Sequence, residues 1–231
     1  QHLYTNQTHP YFRAPHIYIS LPGRFQARRR VLDETQAAVL GRDPGYPRDP
    51  DWRIRDISDG VLLTSRAGTT LYDFTFRQSL IRPGIGYSNW TSRTNYPALG
   101  VVPTGSAEMS LYVQRDFAQD TARLERMVLR TDGFSSVHAP YGGGEMITRY
   151  LRFEPPPPEW SKTLVINYST SAAGSLQVEI QDSGGNPIPG FSISDCPEII
   201  GDEIERTVSW KEGNDLSRIA GKPFRLRFVM K

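Results

Sequence analysis

The 231-residue chain lacks several features that define common classes of protein. A single cysteine, Cys196, cannot form an internal disulfide, and it does not combine with the four histidines in a zinc-type spacing. The acidic segment 195–205 likewise lacks the ligand spacing of a calcium loop. Charges nearly balance, with 27 Lys and Arg against 25 Asp and Glu, and no apolar run approaches the roughly 20 residues of a membrane span. We therefore expect no metal, no cofactor, no nucleic acid and no membrane as partners.

Long helical periodicity is also nearly absent, and only residues 31–40, VLDETQAAVL, have a helical pattern. Short runs of β-branched and aromatic residues instead recur between clusters of Gly, Pro, Asn and Asp, which is typical of an all-β protein. The predicted strands of the first part are 15–21, 60–65, 74–81, 98–102, 109–115, 124–130 and 134–139.

Three consecutive glycines, 142–144, predict a domain boundary, because glycines pack poorly and are costly to order. We expect one module over 1–140, with an irregular insertion near 27–55, and a second over 141–231. In the second module, SLQVEIQD and FRLRFVMK alternate apolar and polar residues, which predicts antiparallel strands with one buried and one wet face. The predicted core of this β-sandwich contains Leu176, Val178, Ile180, Leu226, Phe228, Phe191, Ile193 and Trp210.

The first module is predicted to pair its strands as parts of blades. TSRAGTTL, residues 64–71, lies between two apolar runs and predicts a hairpin that joins 60–65 to 74–81. Segments 98–115 and 124–130 predict a second such group. About two β-propeller blades result, and these are too few to close a ring.

Phrases along nearly the whole chain, among them DGVLLTSR, NWTSRTNYPALGVVPTG, NYSTSAAGSLQVEIQD and PIPGFSISDCPEIIGDEIERTVSWK, resemble a group of uncharacterised bacterial proteins related to glycoside hydrolases. The resemblance implies a five-bladed β-propeller followed by a C-terminal β-sandwich, with carbohydrate as the ligand or substrate. It also implies a periplasmic or secreted location. It suggests that the chain is a fragment whose other blades would precede Gln1, so that an open sheet edge would favour self-association.

Glycoside hydrolysis requires two carboxyl groups beside the scissile bond, about 5 to 9.5 Å apart. Asp59 and Glu108 each precede a strong strand and are the predicted catalytic pair, with Asp56 as the alternative to Asp59. The competing interpretation is structural, since Asp59-Gly60 is an ordinary turn dipeptide and a glutamate commonly begins a hairpin strand.

The loop LIRPGIGYSNWTSRTNYPALG supplies cations, an amide and flat rings, which suit sugar hydroxyls and a stacked pyranose face. Alternatively, Arg82 and Asn95 fasten this loop to the backbone and Trp90 covers a blade. His16 is a further candidate, although a rim or core histidine is the ordinary alternative. The predicted substrate-binding residues are His16, Arg82, Trp90, Arg93, Asn95 and Tyr96.

Three functional hypotheses therefore remain open at the level of sequence. The chain is part of a glycoside hydrolase-like enzyme, whose isolated fragment would have little activity. Alternatively, it is a non-catalytic carbohydrate-binding protein that keeps the pocket without a working carboxyl pair. In the third hypothesis the sandwich is purely structural, because its apolar strands contain few aromatic residues on an exposed face.

Overall fold

The computed structural model describes residues 2–40, 51–74, 76–154 and 162–231. The all-β prediction is confirmed, because the protein is 38% strand and 10% helix and its sheets are antiparallel; none of those in the described ranges closes into a barrel. The chain divides into two compact units, Gln1–Phe134 and Ser135–Lys231. The triglycine segment thus begins a few residues after the division.

The described residues of the first unit form three sheets and two short α-helices. Its sheets have the strand orders β1-β4-β5, β2-β3-β6-β7 and β11-β10-β8, with β9 also paired to β10. The elements are β1 (His2–Tyr4), β2 (His9–Tyr11), β3 (Ala14–Ser20), β4 (Gly23–Gln26), α1 (Glu34–Leu40), α2 (Trp52–Arg55), β5 (Ile57–Gly60), β6 (Leu63–Arg66), β7 (Tyr72–Asp73), β8 (Tyr96–Pro97), β9 (Val102–Pro103), β10 (Glu108–Arg115) and β11 (Arg123–Arg130), with a 3₁₀ helix at Tyr87–Trp90.

The longest hairpin of this unit is formed by β10 and β11. Its paired residues extend from Glu108 opposite Arg130 to Arg115 opposite Arg123. Every second side chain of β10 points into the core of the first unit, so that Met109, Leu111 and Val113 are buried. The strands predicted over 109–115 and 124–130 are confirmed.

The TSRAGTTL segment does form a hairpin, although a shorter one than predicted. Strand β6 pairs with the two residues of β7, Gly68 takes a positive φ of 83°, and the Ser65 hydroxyl donates to the Leu71 carbonyl at 2.6 Å. Among the described residues of 74–81, β-pairing is limited to an isolated bridge between Ile81 and Gly60, so the predicted strand is wrong there. The strand predicted over 134–139 is also absent, and of the strand predicted over 98–102 only Val102 lies in a strand, β9.

The insertion predicted near 27–55 contains both helices, and its residues 41–50 lie outside the described part of the chain. Helix α1 begins at a reciprocal capping box, in which the Gln36 N–H donates to Asp33 and the Asp33 N–H donates to the Gln36 side chain. Leu32, Ala37 and Ile54 then form a small apolar cluster of their own. The described residues on either side of 41–50 thus pack against each other.

The second unit has a three-stranded sheet, β12-β16-β14, and a two-stranded sheet, β13-β15. Side chains from both sheets share one core, in which Val178, Ile180 and Val208 are fully buried. Its strands are β12 (Gly144–Ile147), β13 (Val165–Ser169), β14 (Leu176–Gln181), β15 (Asp202–Thr207) and β16 (Arg225–Met230), with 3₁₀ helices at Ile193–Asp195 and Ser217–Ile219.

The predicted core of this unit is largely confirmed. Leu176, Val178, Ile180, Leu226, Phe191 and Trp210 are buried, whereas Phe228 and Ile193 are only partly buried. The prediction that the polar side chains of β14 face water is wrong, however, because Glu179 and Gln181 are also buried. Glu179 accepts the Ile193 N–H at 3.1 Å and faces the Arg227 guanidinium at 3.4 Å, so this carboxylate has partners that replace water.

Candidate functional site

A cavity of about 440 Å³ opens in the first unit, within the volume range of small-molecule sites. It is formed by four separate segments: the end of β4 with the residues after it, β5, the loop after Arg77, and the 3₁₀ helix. The lining includes Arg24, Arg29, Asp59, Ser79, Arg82 and Trp90. Three predicted site residues, Asp59, Arg82 and Trp90, are thus brought together.

An ion pair between neighbouring strands forms one wall of this cavity. Arg24 of β4 lies directly opposite Asp59 of β5, with Nε to Oδ1 at 2.8 Å and Nη2 to Oδ2 at 2.6 Å. The Ser79 hydroxyl donates to the same carboxylate, and Arg24 Nη1 donates to the Arg77 carbonyl at 2.7 Å. The side chains of the pair are only 14% and 15% exposed. Both carboxylate oxygens of Asp59 are therefore held in a bidentate pair.

Trp90 contributes the aromatic ring of the cavity, and the insertion supports it. The indole N–H donates to the Gly84 carbonyl at 2.8 Å, which fixes the position of the ring. The ring also packs against the cluster of Leu32, Ala37 and Ile54. Trp90 is consequently shared between the cavity lining and the apolar cluster of the insertion.

Arg93 and Asn95 fasten their loop to β5, and neither lines the cavity. Both have positive φ, 61° and 66°. The Arg93 N–H donates to the Ser58 hydroxyl at 2.7 Å, and its guanidinium lies 4.9 Å from the centre of the Trp52 ring. Asn95 is fully buried; its amide donates to the carbonyls of Ser58 and Asn89 and accepts from Arg115. These contacts match the structural alternative for the loop.

Tyr96 and His16 also lie outside the lining of this cavity. The Tyr96 ring covers Gly23, where an added Cβ would come within 2.4 Å of a ring carbon, and burial raises the pKa of the phenol. His16 is an exposed residue of β3, and its carbonyl accepts the Ala67 N–H at 2.9 Å. The predicted substrate-binding set is therefore divided between cavity and scaffold.

Glu108 begins β10 and does not line the cavity. It accepts the Thr104 hydroxyl at 3.0 Å and lies 3.9 Å from the Arg126 guanidinium. Asp59 lines the cavity and Glu108 does not, so the lining contains one member of the predicted catalytic pair. Asp56, the alternative, accepts the Arg28 N–H at 2.8 Å.

The acidic segment of the second unit has local structural partners. Asp195 accepts the Ser192 hydroxyl at 2.6 Å in a capping box, and this bond holds the pKa of the carboxyl below its usual range. Within the described residues, no group of three His, Cys, Asp or Glu side chains is arranged to hold a metal ion. The same part of the chain contains no helix long and apolar enough to cross a membrane.

Most of the lining was not predicted from the sequence, including Arg24, Arg29 and Ser79. Arg29 belongs to a run of three arginines, 28–30, which was a visible signal of local positive charge. Arg24 and Ser79 had no comparable signal, because their role depends on the pairing of β4 with β5 across the insertion.

Comparison of the chain with models of protein families, with curated proteins and with solved structures found no match.

Proposed function

We propose that the first unit binds carbohydrate in the cavity beside Trp90, as part of a glycoside hydrolase-like protein. In this proposal its four-stranded sheets belong to a propeller-like module and the second unit is a β-sandwich. One observation carries the functional part: an aromatic ring, guanidinium groups and hydroxyls from separate segments converge on one open cavity. Such a combination offers stacking to a sugar face and hydrogen bonds to its hydroxyls.

Binding without hydrolysis is the better-supported form of this proposal. The Asp59 carboxylate is held by Arg24 and Ser79, whereas a general acid or a nucleophile needs an oxygen directed at the substrate. Glu108 lies outside the cavity lining and accepts the Thr104 hydroxyl. The cavity thus offers recognition groups, while the predicted carboxyl pair is not assembled around it.

The test is a binding screen of the purified chain against neutral and acidic oligosaccharides, followed by calorimetry of Trp90→Ala. Loss of the ring should weaken binding at least tenfold, equivalent to about 1.4 kcal/mol. Tyr141→Ala is the matched control, since this aromatic side chain is fully exposed in the second unit and its removal should not change affinity. Trp90→Phe keeps a ring and separates lost stacking from damage to the insertion. Binding that survives Trp90→Ala in a folded variant would exclude this cavity.

The hydrolase alternative has a distinct result. A catalytic chain would turn over an aryl glycoside, and Glu108→Gln would abolish turnover while leaving affinity intact. We expect no turnover by this chain and unchanged binding by Glu108→Gln. Carboxylate-dependent turnover would favour the enzyme.

A further inference from the structure

The cavity contains more positive charge than its own side chains neutralise. Among the residues that line it are Arg24, Arg29 and Arg82, but only one carboxylate, that of Asp59. This carboxylate is already engaged by Arg24. Two guanidinium charges therefore remain at the cavity without an acidic counterpart in its lining.

Arg29 and Arg82 differ in this respect from Arg24, the third arginine of the lining, whose guanidinium is paired with Asp59. Arg30, which follows Arg29 in the chain, is also paired, with Glu34 at 2.9 Å. Arg29 and Arg82 are both exposed, and neither has a hydrogen bond or ion pair among the described residues. Their charges are consequently available to a ligand.

A neutral sugar would not use these two charges efficiently. The guanidinium group presents a planar fork of N–H donors that matches a carboxylate or another oxyanion and forms shorter, stronger hydrogen bonds to it than to a neutral oxygen. Two like charges at one cavity also repel each other, and an anion between them would remove that cost. Trp90 would still offer its ring to the sugar.

We propose that the ligand is an acidic saccharide whose uronate carboxylate is bound by Arg29 and Arg82, with its sugar ring beside Trp90. This inference rests on the proposed carbohydrate function and adds the chemical class of the ligand. A sulfated sugar shares the oxyanion chemistry, and we assign the carboxylate because the bidentate guanidinium fork matches its planar geometry.

The experiment compares a uronate oligosaccharide with its methyl-esterified form, which keeps the sugar ring but loses the charge. Calorimetry with the intact chain should give at least tenfold tighter binding of the free acid, and this preference should fall as salt is raised. Arg29→Gln and Arg82→Gln should each remove most of this preference, and each should weaken binding of the free acid by a larger factor than binding of the ester. Arg66→Gln is the matched control, an exposed arginine of β6 that lies outside the cavity lining.

The outcomes separate the two proposals. Equal affinity for acid and ester, unaffected by the two arginine variants, would overturn the acidic ligand while leaving carbohydrate binding standing. Absence of binding to any saccharide would overturn the proposed function itself. A sulfated oligosaccharide that binds where uronates do not would overturn the carboxylate assignment, and inorganic sulfate that binds through the two arginines in the absence of any sugar binding would overturn the saccharide part.

Discussion

Replacement of Asp59 by asparagine should destabilise the first unit, because the Asp59 carboxylate is the partner of a poorly exposed cation. Breaking a buried ion pair from one side typically costs 3–5 kcal/mol, since the remaining charge is left uncompensated. Here the two side chains keep 14% and 15% exposure, and Arg24 retains bonds to the Arg77 carbonyl and the Ser79 hydroxyl. We therefore expect a smaller loss of about 2–3 kcal/mol in the free energy of unfolding.

Hydrogen exchange measured by mass spectrometry is the appropriate assay, because it reports each unit of a two-unit chain separately. Amides of β4 and β5 should exchange faster in Asp59→Asn, while those of β14 and β16 should not change. Asp73→Asn is the matched control, an exposed carboxylate of β7, and should alter stability by less than about 0.5 kcal/mol. A double-mutant cycle with Arg24→Met then isolates the pair, whose coupling should exceed about 1 kcal/mol.

Unchanged or increased stability in Asp59→Asn would refute this reasoning. Residues that serve catalysis are often held at a cost to folding, so their replacement can stabilise a protein. If Asp59→Asn raised the free energy of unfolding, the Asp59 carboxylate would be destabilising in the folded chain. That result would favour the catalytic hypothesis for Asp59.

Three further predictions address the scaffold. Gly23→Ala should cost about 1–3 kcal/mol through overlap with the Tyr96 ring, and the cost measured by thermal unfolding should shrink in a Tyr96→Ala background. Asp182 accepts two backbone N–H groups, and these bonds lower the pKa of its carboxyl. Its contribution to the stability of the fold is therefore complete above the unfolded pKa of about 3.9 and is lost as pH falls through the lower folded pKa. Between pH 5 and pH 2 the urea midpoint of Asp182→Asn should fall less than that of the unsubstituted chain. Edge strand β11 exposes Leu124, and Leu124→Lys should reduce any self-association detected by light scattering, whereas an unchanged dimer would place the contact elsewhere.

Alternation of apolar and polar residues predicted the second unit well, because this signal is local. Val178 and Ile180 are two residues apart in an extended chain and must share a face, and that face is the buried one. The same pattern could not reveal that Glu179 is buried as well. Whether a polar face meets water depends on the loop that reaches it, here the segment around Ile193, and such a contact leaves no periodic trace.

Strand propensity alone predicted two strands that the structure does not contain among its described residues. The segments 74–81 and 134–139 contain β-prone residues, and Ile81 does enter the core, but a strand also requires a partner edge. Phe134 shows the alternative, since it packs against the core of the first unit without pairing to a strand. Burial of a side chain and pairing of its backbone with a strand are separate requirements. The residue types of a segment indicate mainly whether its side chains are buried.

The sequence indicated individual residues of the cavity but not which of them contact each other. Asp59 was recognised as chemically interesting, yet its partner Arg24 lies on the far side of the insertion, and no local pattern sets the register between β4 and β5. The choice between a catalytic and a structural Asp59 depended on that register. The same limitation applied to Asn95, whose amide bonds to Ser58 and Asn89 decide its role.

The insertion, which interrupts the regular strand pattern, contributes to the cavity and to its surroundings. Its cluster of Leu32, Ala37 and Ile54 packs against Trp90, and its first residues include Arg29 at the cavity. Without this segment, β4 and β5 could be joined by a short hairpin, because they are antiparallel neighbours. Such a hairpin would keep the Arg24–Asp59 wall but would lose both a cation and the support of the aromatic ring. In the proposed function the sheets position Arg24 and Asp59, and the insertion supplies groups through which the cavity would discriminate among ligands.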